Sequence, residues 1–287
     1  MFLLEHDRFG TIGGMLAFER RRRIAEKIRS RGVVSVKEMA EALGTSEITL
    51  RRDLRVMAEA GLLVRTHGGA VLPDGLVQEP PYSEKATQAA AEKAAIARVA
   101  VGMVKPGDSI VLGPGTTTLA LARLLVDFSD LTVVTNSLLV AQALIPATHV
   151  EVILTGGTLR RAIHALVGPA AEESVRMLRA SHAFISGNGL SAERGLSTPS
   201  PLVAAADRAL AAAAQQTVVL ADHTKIGHES MCQTVPLDKI TTLVTDAAAD
   251  PQQLMAIGEA GVVVLVAHGE GGPAAVVEGE RTPSQAG

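Results

Sequence analysis

Residues 34–71 read VSVKEMAEALGTSEITLRRDLRVMAEAGLLVRTHGGAV in a chain of 287 residues. Apolar residues recur at helical spacing between positions 36 and 43, and Gly44 ends the helix that this spacing predicts. A second helix is predicted from Ser46 onward, after a tight turn at Gly44-Thr45. The residues of this second helix that we expect to face the core are Ile48, Leu50, Leu54 and Met57.

A β-hairpin is predicted directly after the second helix. The run LLVRT at 62–66 is typical of a strand, His67-Gly68-Gly69 favours a turn, and AVL at 70–72 returns. A further helix, AFERRRRIAEKIRSR, precedes the quoted stretch and is ended by Gly32. These elements predict a winged helix-turn-helix domain over residues 19–74, with the helix-turn-helix itself at about 34–53.

The second helix of this motif carries side chains suited to DNA. Its N-terminal part enters the major groove in helix-turn-helix proteins, so we expect Thr49 to reach a base, Arg52 a guanine or a phosphate, and Arg51 and Arg55 to hold phosphates. The full set of predicted DNA-binding residues is Arg21, Arg22, Ser35, Ser46, Glu47, Thr49, Arg51, Arg52, Arg55, Arg65 and His67. The alternative is an exposed amphipathic helix whose arginines serve solubility alone.

Charge is distributed unevenly along the chain. The net charge is −3, yet residues 19–69 carry 12 Lys and Arg against 7 Asp and Glu. From Leu76 onward the balance reverses to 14 basic against 20 acidic residues. A small basic part joined to a larger acidic part implies that only the N-terminal part faces a polyanion.

Composition excludes several other classes of protein. Aromatic residues make up 2% of the chain and Trp is absent, which argues against aromatic platforms for carbohydrates or bases. Cys232 is the single cysteine, so an intramolecular disulfide framework is excluded. No apolar run approaches the length of a membrane span, and the histidines lack metal-binding spacing. We therefore expect a cytoplasmic protein without a metal or cofactor.

The larger part of the chain alternates helical stretches with short β-branched runs. Such runs are typical of buried parallel strands joined by crossover helices, so the predicted fold class is α/β with a Rossmann-like second domain. The predicted strands are SIVL (109–112), LTVVT (131–135), VEVILT (150–155), HAFIS (182–186), TVVLA (217–221), ITTLVT (240–245) and VVVLV (262–266).

We divide the whole chain on the same basis. The predicted segments are a flexible extension over 1–18, the winged domain, a linker over 75–88, the α/β domain over 89–268 and a disordered tail over 269–287. Met15 is an alternative start, because organised helical sequence begins directly after it.

Turns rich in Gly, Ser and Thr follow five of the predicted strands. Ligands bind at the carboxyl ends of parallel strands, and the turn Gly113-Pro114-Gly115-Thr116 suits a phosphate because its N–H groups and hydroxyls can donate at a helix N-terminus. The predicted ligand-binding residues are Gly115, Thr116, Thr117, Thr118, Thr135, Asn136, Ser137, Gly156, Gly157, Arg160, Gly187, Asn188, Gly189, Asp222 and Lys225. The alternative for each turn alone is a capping or chain-reversal sequence, but together the turns predict a pocket for a phosphorylated, polyhydroxylated molecule.

The N-terminal region resembles the signature of DeoR-family transcriptional regulators. The matching motifs are Arg51-Arg52-Asp53-Leu54, Gly61-Leu62 and Arg65-Thr66-His67-Gly68-Gly69, with Leu50 where the family usually has Ile. The resemblance extends over about residues 19–268 through the blocks GTTT, VVTNS, ILTGG-x-LR, AFISGNGL and LADHTK. It implies a bacterial regulator whose second domain resembles ribose-5-phosphate isomerase and CoA transferases and responds to phosphorylated sugars. Gly113 and Asn188 depart from the acidic residues common in the family, which leaves the identity of the sugar open.

The residues and the resemblance together predict a repressor of a carbohydrate operon and not an enzyme. Its expected partners are operator DNA, a phosphorylated sugar and further copies of itself, as a homodimer or homotetramer, with no membrane. The competing class is a sugar-phosphate isomerase, for which Asp222 or Glu193 would supply the base and Lys225 an electrophile. A purely structural scaffold would leave the hairpin and the phosphate-binding turn unexplained.

Overall fold

The structure, a computed structural model, describes residues 16–31, 33–59, 62–66, 68–71, 79–269 and 275–277. These residues divide into two units, one within residues 1–75 and the other within residues 76–287. Within the described residues, none of the helices combines the length and the apolar character that crossing a bilayer requires.

The first unit is a three-helix domain with a small antiparallel sheet. Its elements are α1 (Ala17–Arg31), β1 (Val33–Ser35), α2 (Val36–Ala42), α3 (Glu47–Glu59), β2 (Val64–Arg65) and β3 (Gly69–Val71). The strand order is β1-β3-β2, so the segment before α2 pairs with the hairpin. Ile24, Ile28, Leu50 and Leu54 are buried together in its core. The predicted winged helix-turn-helix fold is confirmed in these elements.

Ile48 does not face this core, contrary to the prediction from spacing. Its side chain is 81% exposed, whereas Leu50, Leu54 and Met57 are buried. These three recur every three to four residues along α3, while Ile48 precedes Leu50 by two residues. Two residues correspond to about 200° of rotation, which places Ile48 on the opposite side of the helix.

The second unit opens with two helices and then alternates strands and helices. Its first half contains α4 (Tyr82–Thr87), α5 (Ala90–Val101), β4 (Ser109–Leu112), α6 (Thr116–Leu124), β5 (Leu131–Thr135), α7 (Leu138–Leu144), β6 (Val150–Leu154), β7 (Thr158–Arg160), β8 (Ala165–Val167) and α8 (Pro169–Arg176). Its second half contains β9 (Ala180–Ile185), β10 (Gly189–Ser191), β11 (Gly195–Thr198), α9 (Pro201–Ala212), β12 (Ala214–Leu220), β13 (Cys232–Val235), β14 (Thr242–Asp246), α10 (Pro251–Glu259), β15 (Val263–Ala267) and β16 (Ala275–Val277).

One eight-stranded sheet organises this unit, in the order β16-β15-β14-β12-β9-β4-β5-β6. The seven strands from β6 to β15 in this order are the seven predicted runs, and the pairs among these seven are all parallel. Buried residues pack on both faces, such as Val111 and Ile185 on one and Ile110 and Phe184 on the other. The predicted α/β fold class is confirmed.

Two segments differ from the predicted division of the chain. Residues 82–87 of the predicted linker form α4, and residues 275–277 of the predicted disordered tail form β16. β16 pairs antiparallel with β15 because an edge strand offers unpaired N–H and C=O groups to a short β-branched run. The small sheet of β10, β11 and β13 and the hairpin of β7 and β8 are further strands that the sequence runs did not predict.

Candidate functional site

The strand order of the large sheet creates a switch point between β4 and β9. From β4 the chain continues to β5 and β6 on one side, and it later returns to place β9 on the other side. Open α/β sheets bind ligands beyond the carboxyl ends of the two strands at such a point. Here those ends lead into the turns Gly113–Gly115 and Ser186–Asn188.

A pocket lies at this switch point and takes in the end of the neighbouring strand β12 as well. It is lined by Glu79, Tyr82, Lys85, Lys93, Pro114, Gly115, Thr116, Thr117, Ile163, Ser186, Gly187, Asn188, Thr198, Val203, Asp207, Asp222 and Lys225. We refer to this set as the pocket.

Seven of the predicted ligand-binding residues line the pocket. They are Gly115, Thr116, Thr117, Gly187, Asn188, Asp222 and Lys225. Gly115 precedes the first residue of α6 and has φ of 154°, and a Cβ there would lie 3.2 Å from the Ser186 Cβ. The positive φ and the close approach of the two turns both favour glycine here, and the turn brings the N-terminus of α6 to the pocket.

The other predicted residues lie outside the pocket lining, and several have structural hydrogen bonds. The Thr118 and Thr135 hydroxyls donate to the carbonyls of Gly115 and Leu112 at 3.1 and 2.7 Å. Asn136 Nδ2 donates to the Leu166 carbonyl at 2.9 Å. The remaining members of this group are Ser137, which caps α7, and Gly156, Gly157, Arg160 and Gly189.

Position in the sheet explains why the turn after β6 is absent from the lining. β6 is the edge strand, two places from β4. Neighbouring strands lie about 4.8 Å apart, so this turn starts roughly 10 Å from the switch point. Gly156 and Gly157 are accordingly exposed.

The structure adds charged residues that the sequence analysis missed. Glu79, Lys85, Lys93 and Asp207 line the pocket, and they come from the predicted linker and from helices α4, α5 and α9. The predicted ligand-binding residues all lie in turns after strands or at the start of the helices that follow them. The sequence does contain a sign of two of these residues. Lys93 and Asp207 each place a charged side chain on the buried, otherwise apolar face of a helix, in the stretches AAEKAAIA and LVAAADRAL.

Cationic groups are concentrated in the pocket. Lys93 Nζ lies 3.7 Å from Asp222 Oδ2 and donates to the carbonyls of Lys85 and Gln88 at 2.5 and 2.6 Å. Burial lowers the pKa of both Lys93 and Lys225, while Asp222 works in the opposite direction by favouring their charged forms.

Asp207 contributes a buried carboxyl group whose neutral form is favoured. Burial raises its pKa to about 8, and the nearby Glu79 carboxylate adds to this effect. Asp207 Oδ1 is buried without a hydrogen-bond partner among the described residues. The pocket is thus lined by three lysines, the Asn188 amide and the Thr116 and Thr117 hydroxyls, groups that suit an anion with hydroxyl groups.

In the first unit, α3 presents a continuous exposed surface. Glu47, Ile48, Arg51, Arg52 and Arg55 are all exposed along it. Ser46 caps the helix as predicted, because its Oγ accepts a hydrogen bond from the Thr49 N–H at 3.2 Å. Its hydroxyl also lies 2.9 Å from the Thr49 hydroxyl.

Several predicted DNA-binding residues have partners within the first unit. Arg21 Nε lies 2.9 Å from Oδ1 of the buried Asp53, which Arg20 also contacts. Arg22 and Arg51 form i,i+4 ion pairs with Glu26 and Glu47 at 3.8 and 3.2 Å. Ser35 caps α2, Arg65 is exposed on β2, and His67 lies outside the described residues.

The exposed pairs of Arg22 and Arg51 contribute little to stability, but the Asp53 pairs are different. Asp53 is 2% exposed, so Arg20 and Arg21 compensate a buried charge and join α1 to α3. Arg21 lies among four consecutive arginines and was predicted to bind DNA. The structure shows that it also contacts the buried Asp53.

Both units match family models. The DeoR-like helix-turn-helix domain matches residues 20–75, and the DeoR C terminal sensor domain matches residues 88–247. Among solved structures, ribose 5-phosphate isomerase A from Methanocaldococcus jannaschii aligns with a TM-score of 0.35 and 17% identity over 46% of this chain and 52% of its own. A likeness at that level does not establish a shared activity.

Curated relatives match over nearly their whole length. An uncharacterized HTH-type regulator, YgbI of Escherichia coli K12, is 36% identical over 89% of this chain and 100% of its own. The HTH-type regulator GlpR of Haloferax volcanii is 38% identical over 88% and 98%. A putative aga operon repressor of Escherichia coli O157:H7 is 32% identical over 86% and 93%. With both domains matched, this chain belongs to the DeoR family of transcriptional regulators.

Proposed function

We propose that this regulator represses a carbohydrate operon and that a phosphorylated sugar changes its affinity for operator DNA by binding in the pocket. The observation that carries the proposal is that three lysines and the N-terminus of α6 line one pocket at the switch point. Backbone N–H groups and Thr116 are suited to hold the phosphate, and Asp222 and Asn188 to hold hydroxyl groups. A relative named as an aga operon repressor supports the assignment to sugar metabolism.

The DNA contact is assigned to the N-terminal half of α3 and to the hairpin. Arg52 and Thr49 would contact bases, while Arg51, Arg55 and Arg65 would contact phosphates. One recognition helix covers few base pairs, so we propose that a homodimer or homotetramer binds repeated half-sites.

The test measures binding of the purified protein to labelled DNA from upstream of its own operon. A label is required because the chain has no Trp. Ribose 5-phosphate, fructose 6-phosphate and glucosamine 6-phosphate are added separately, with the unphosphorylated sugars as controls. Salt-sensitive specific binding that one phosphorylated sugar shifts by about 5–150-fold is expected. Specific binding that none of the phosphorylated sugars alters would contradict the assignment of the pocket.

Two variants separate the two sites within the same experiment. Arg52→Ala should weaken specific DNA binding, with Arg98→Ala, an exposed arginine of α5, as its control. Thr116→Ala should abolish the response to the sugar and leave DNA affinity unchanged, with the exposed Thr148→Ala as its control. A full response in Thr116→Ala would exclude the proposed phosphate position.

A further inference from the structure

Glu79 places a carboxylate among the donors of the pocket. Its Oε1 accepts hydrogen bonds from Lys85 Nζ and from Asn188 Nδ2, the latter at 3.2 Å. The side chain is only 5% exposed, and Oε2 is buried without a hydrogen-bond partner among the described residues. Glu79 is therefore an internal oxyanion bound inside the pocket that we assign to the effector.

The two donors that hold Glu79 are also suited to an external anion. A lysine ammonium and an amide N–H bind phosphate oxygens as they bind carboxylate oxygens. Both side chains face the same pocket as Gly115, Thr116 and Thr117, the proposed phosphate position. A phosphate drawn to these donors meets a carboxylate already bound there, and two oxyanions at one site repel each other.

The position of Glu79 in the chain connects this competition to DNA binding. Residues 72–78 alone separate it in sequence from β3, the last strand of the DNA-binding unit. On its other side, Lys93 holds the end of α4 through the Lys85 and Gln88 carbonyls. Lys93 therefore fixes the end of α4 through contacts that do not involve the Glu79 carboxylate.

We propose that the anionic group of the effector and the Glu79 carboxylate compete for Lys85 and Asn188, so that effector binding releases the Glu79 carboxylate and thereby changes operator affinity. This inference rests on the proposed function, since it assigns the regulation of the same pocket. The competition also makes the pocket selective for phosphorylated sugars over neutral ones. A phosphate group binds the lysine as strongly as the carboxylate that it displaces, whereas a neutral hydroxyl group binds it more weakly.

The test compares the native protein with Glu79→Gln and with Glu84→Gln. Glu84 is an exposed residue of α4, so its variant removes the same charge from the same segment as a matched control. Each protein is titrated calorimetrically with inorganic phosphate, ribose 5-phosphate and fructose 6-phosphate, and its operator affinity is measured without additive. Circular dichroism verifies folding, and Glu79→Asp, which keeps the charge on a shorter side chain, is measured alongside.

Glu79→Gln is expected to bind the phosphorylated sugar about fivefold more tightly than the native protein. Its operator affinity without sugar should approach that of the sugar-saturated native protein, while Glu84→Gln should match the native protein in both measurements. Glu79→Asp should show a smaller gain in sugar affinity. If Glu79→Gln does not fold, Glu79→Asp tests the competition. A gain in sugar affinity over the native protein supports it, and no gain contradicts it.

Other outcomes separate the two proposals. If the native protein binds a phosphorylated sugar and the Glu79 variants bind it equally or more weakly, the competition is overturned and the proposed function stands. Binding by Glu79→Gln alone would support the competition and show that Glu79 dominates in the native protein. If neither protein binds any of the phosphorylated compounds, both the competition and the proposed function are contradicted.

Discussion

Asp207 makes the stability of the second unit depend on pH. Its pKa is about 8 in the folded protein, because burial disfavours its charged form, against 3.8 in the unfolded chain. Between these values the folded protein holds a proton that the unfolded chain has lost. The free energy of unfolding therefore decreases as pH rises from about 4 to about 8, by at most about 1.4 kcal/mol per pH unit from this group.

The measurement compares urea unfolding of the native protein and Asp207→Asn at about pH 5 and pH 7.5. His228 acts in the opposite direction, because burial lowers its pKa to about 4 and its unfolded form binds a proton below 6.5. His228 is present in both proteins, so the difference between them isolates Asp207. Asp207→Asn should gain stability relative to the native protein as pH rises, and a constant difference would contradict this assignment.

We predict that Ile48 presents an apolar side chain to the major groove. It is 81% exposed in the first turn of α3, next to Thr49 and on the side away from the core. Apolar side chains at such positions contact the methyl group of thymine. We expect Ile48→Ala to weaken operator binding about fivefold and to relax one thymine position.

Deoxyuridine substitution in the operator supplies the measurement. Replacing the contacted thymine should weaken native binding by a similar factor and should have no effect on Ile48→Ala. Val56→Ala serves as the control, since Val56 is partly exposed near the other end of α3. An equal effect of deoxyuridine on the native protein and on Ile48→Ala would exclude the methyl contact.

At the scale of an element, the hairpin depends on the absence of a side chain at Gly69. A Cβ at this position would lie 1.9 Å from the Val34 carbonyl oxygen, because β3 runs between β1 and β2. Gly69→Ala should therefore separate β3 from β1 and destabilise the DNA-binding unit by about 2–4 kcal/mol.

Thermal unfolding and operator binding test this expectation together. Operator affinity should decrease strongly, whereas calorimetric binding of the phosphorylated sugar should persist, because Gly69 belongs to the first unit. Gly102→Ala is a suitable control, since a Cβ there would meet only the Val99 carbonyl oxygen at 3.4 Å. Unchanged stability of Gly69→Ala would show that β1 and β3 are not held in this register.

At the scale of the whole molecule, the two binding events must affect each other equally. If the sugar changes operator affinity by a given factor, the operator must change sugar affinity by the same factor. We expect both factors to agree in the native protein, and both to decrease in Glu79→Gln, where the competition is removed. Titrating the sugar with and without saturating operator DNA measures the second factor, and unequal factors would indicate a further linked equilibrium such as a change of oligomeric state.

The sequence by itself determined the elements and the two domains. β-branched runs predicted all seven parallel strands, and helical spacing with glycine boundaries predicted the helix-turn-helix, because these signals depend on neighbours along the chain. The same reasoning located the turns that contribute Gly115, Thr116 and Asn188 to the pocket. It erred at Ile48, where the period of the helix, and not its hydrophobicity, decides which side faces the core.

Only the tertiary structure decided which of the polar turns meet. The order of strands places β9 and β12 beside β4 and leaves β6 at the edge, so the turns containing Asn188 and Lys225 reach the pocket and the one containing Gly156 does not. Glu79, Lys93 and Asp207 come from three separate segments, and packing of helices against the sheet brings them to one point. Contacts between residues more than a hundred positions apart, such as Glu79 and Asn188, arise from that packing and leave no periodic signal in the sequence.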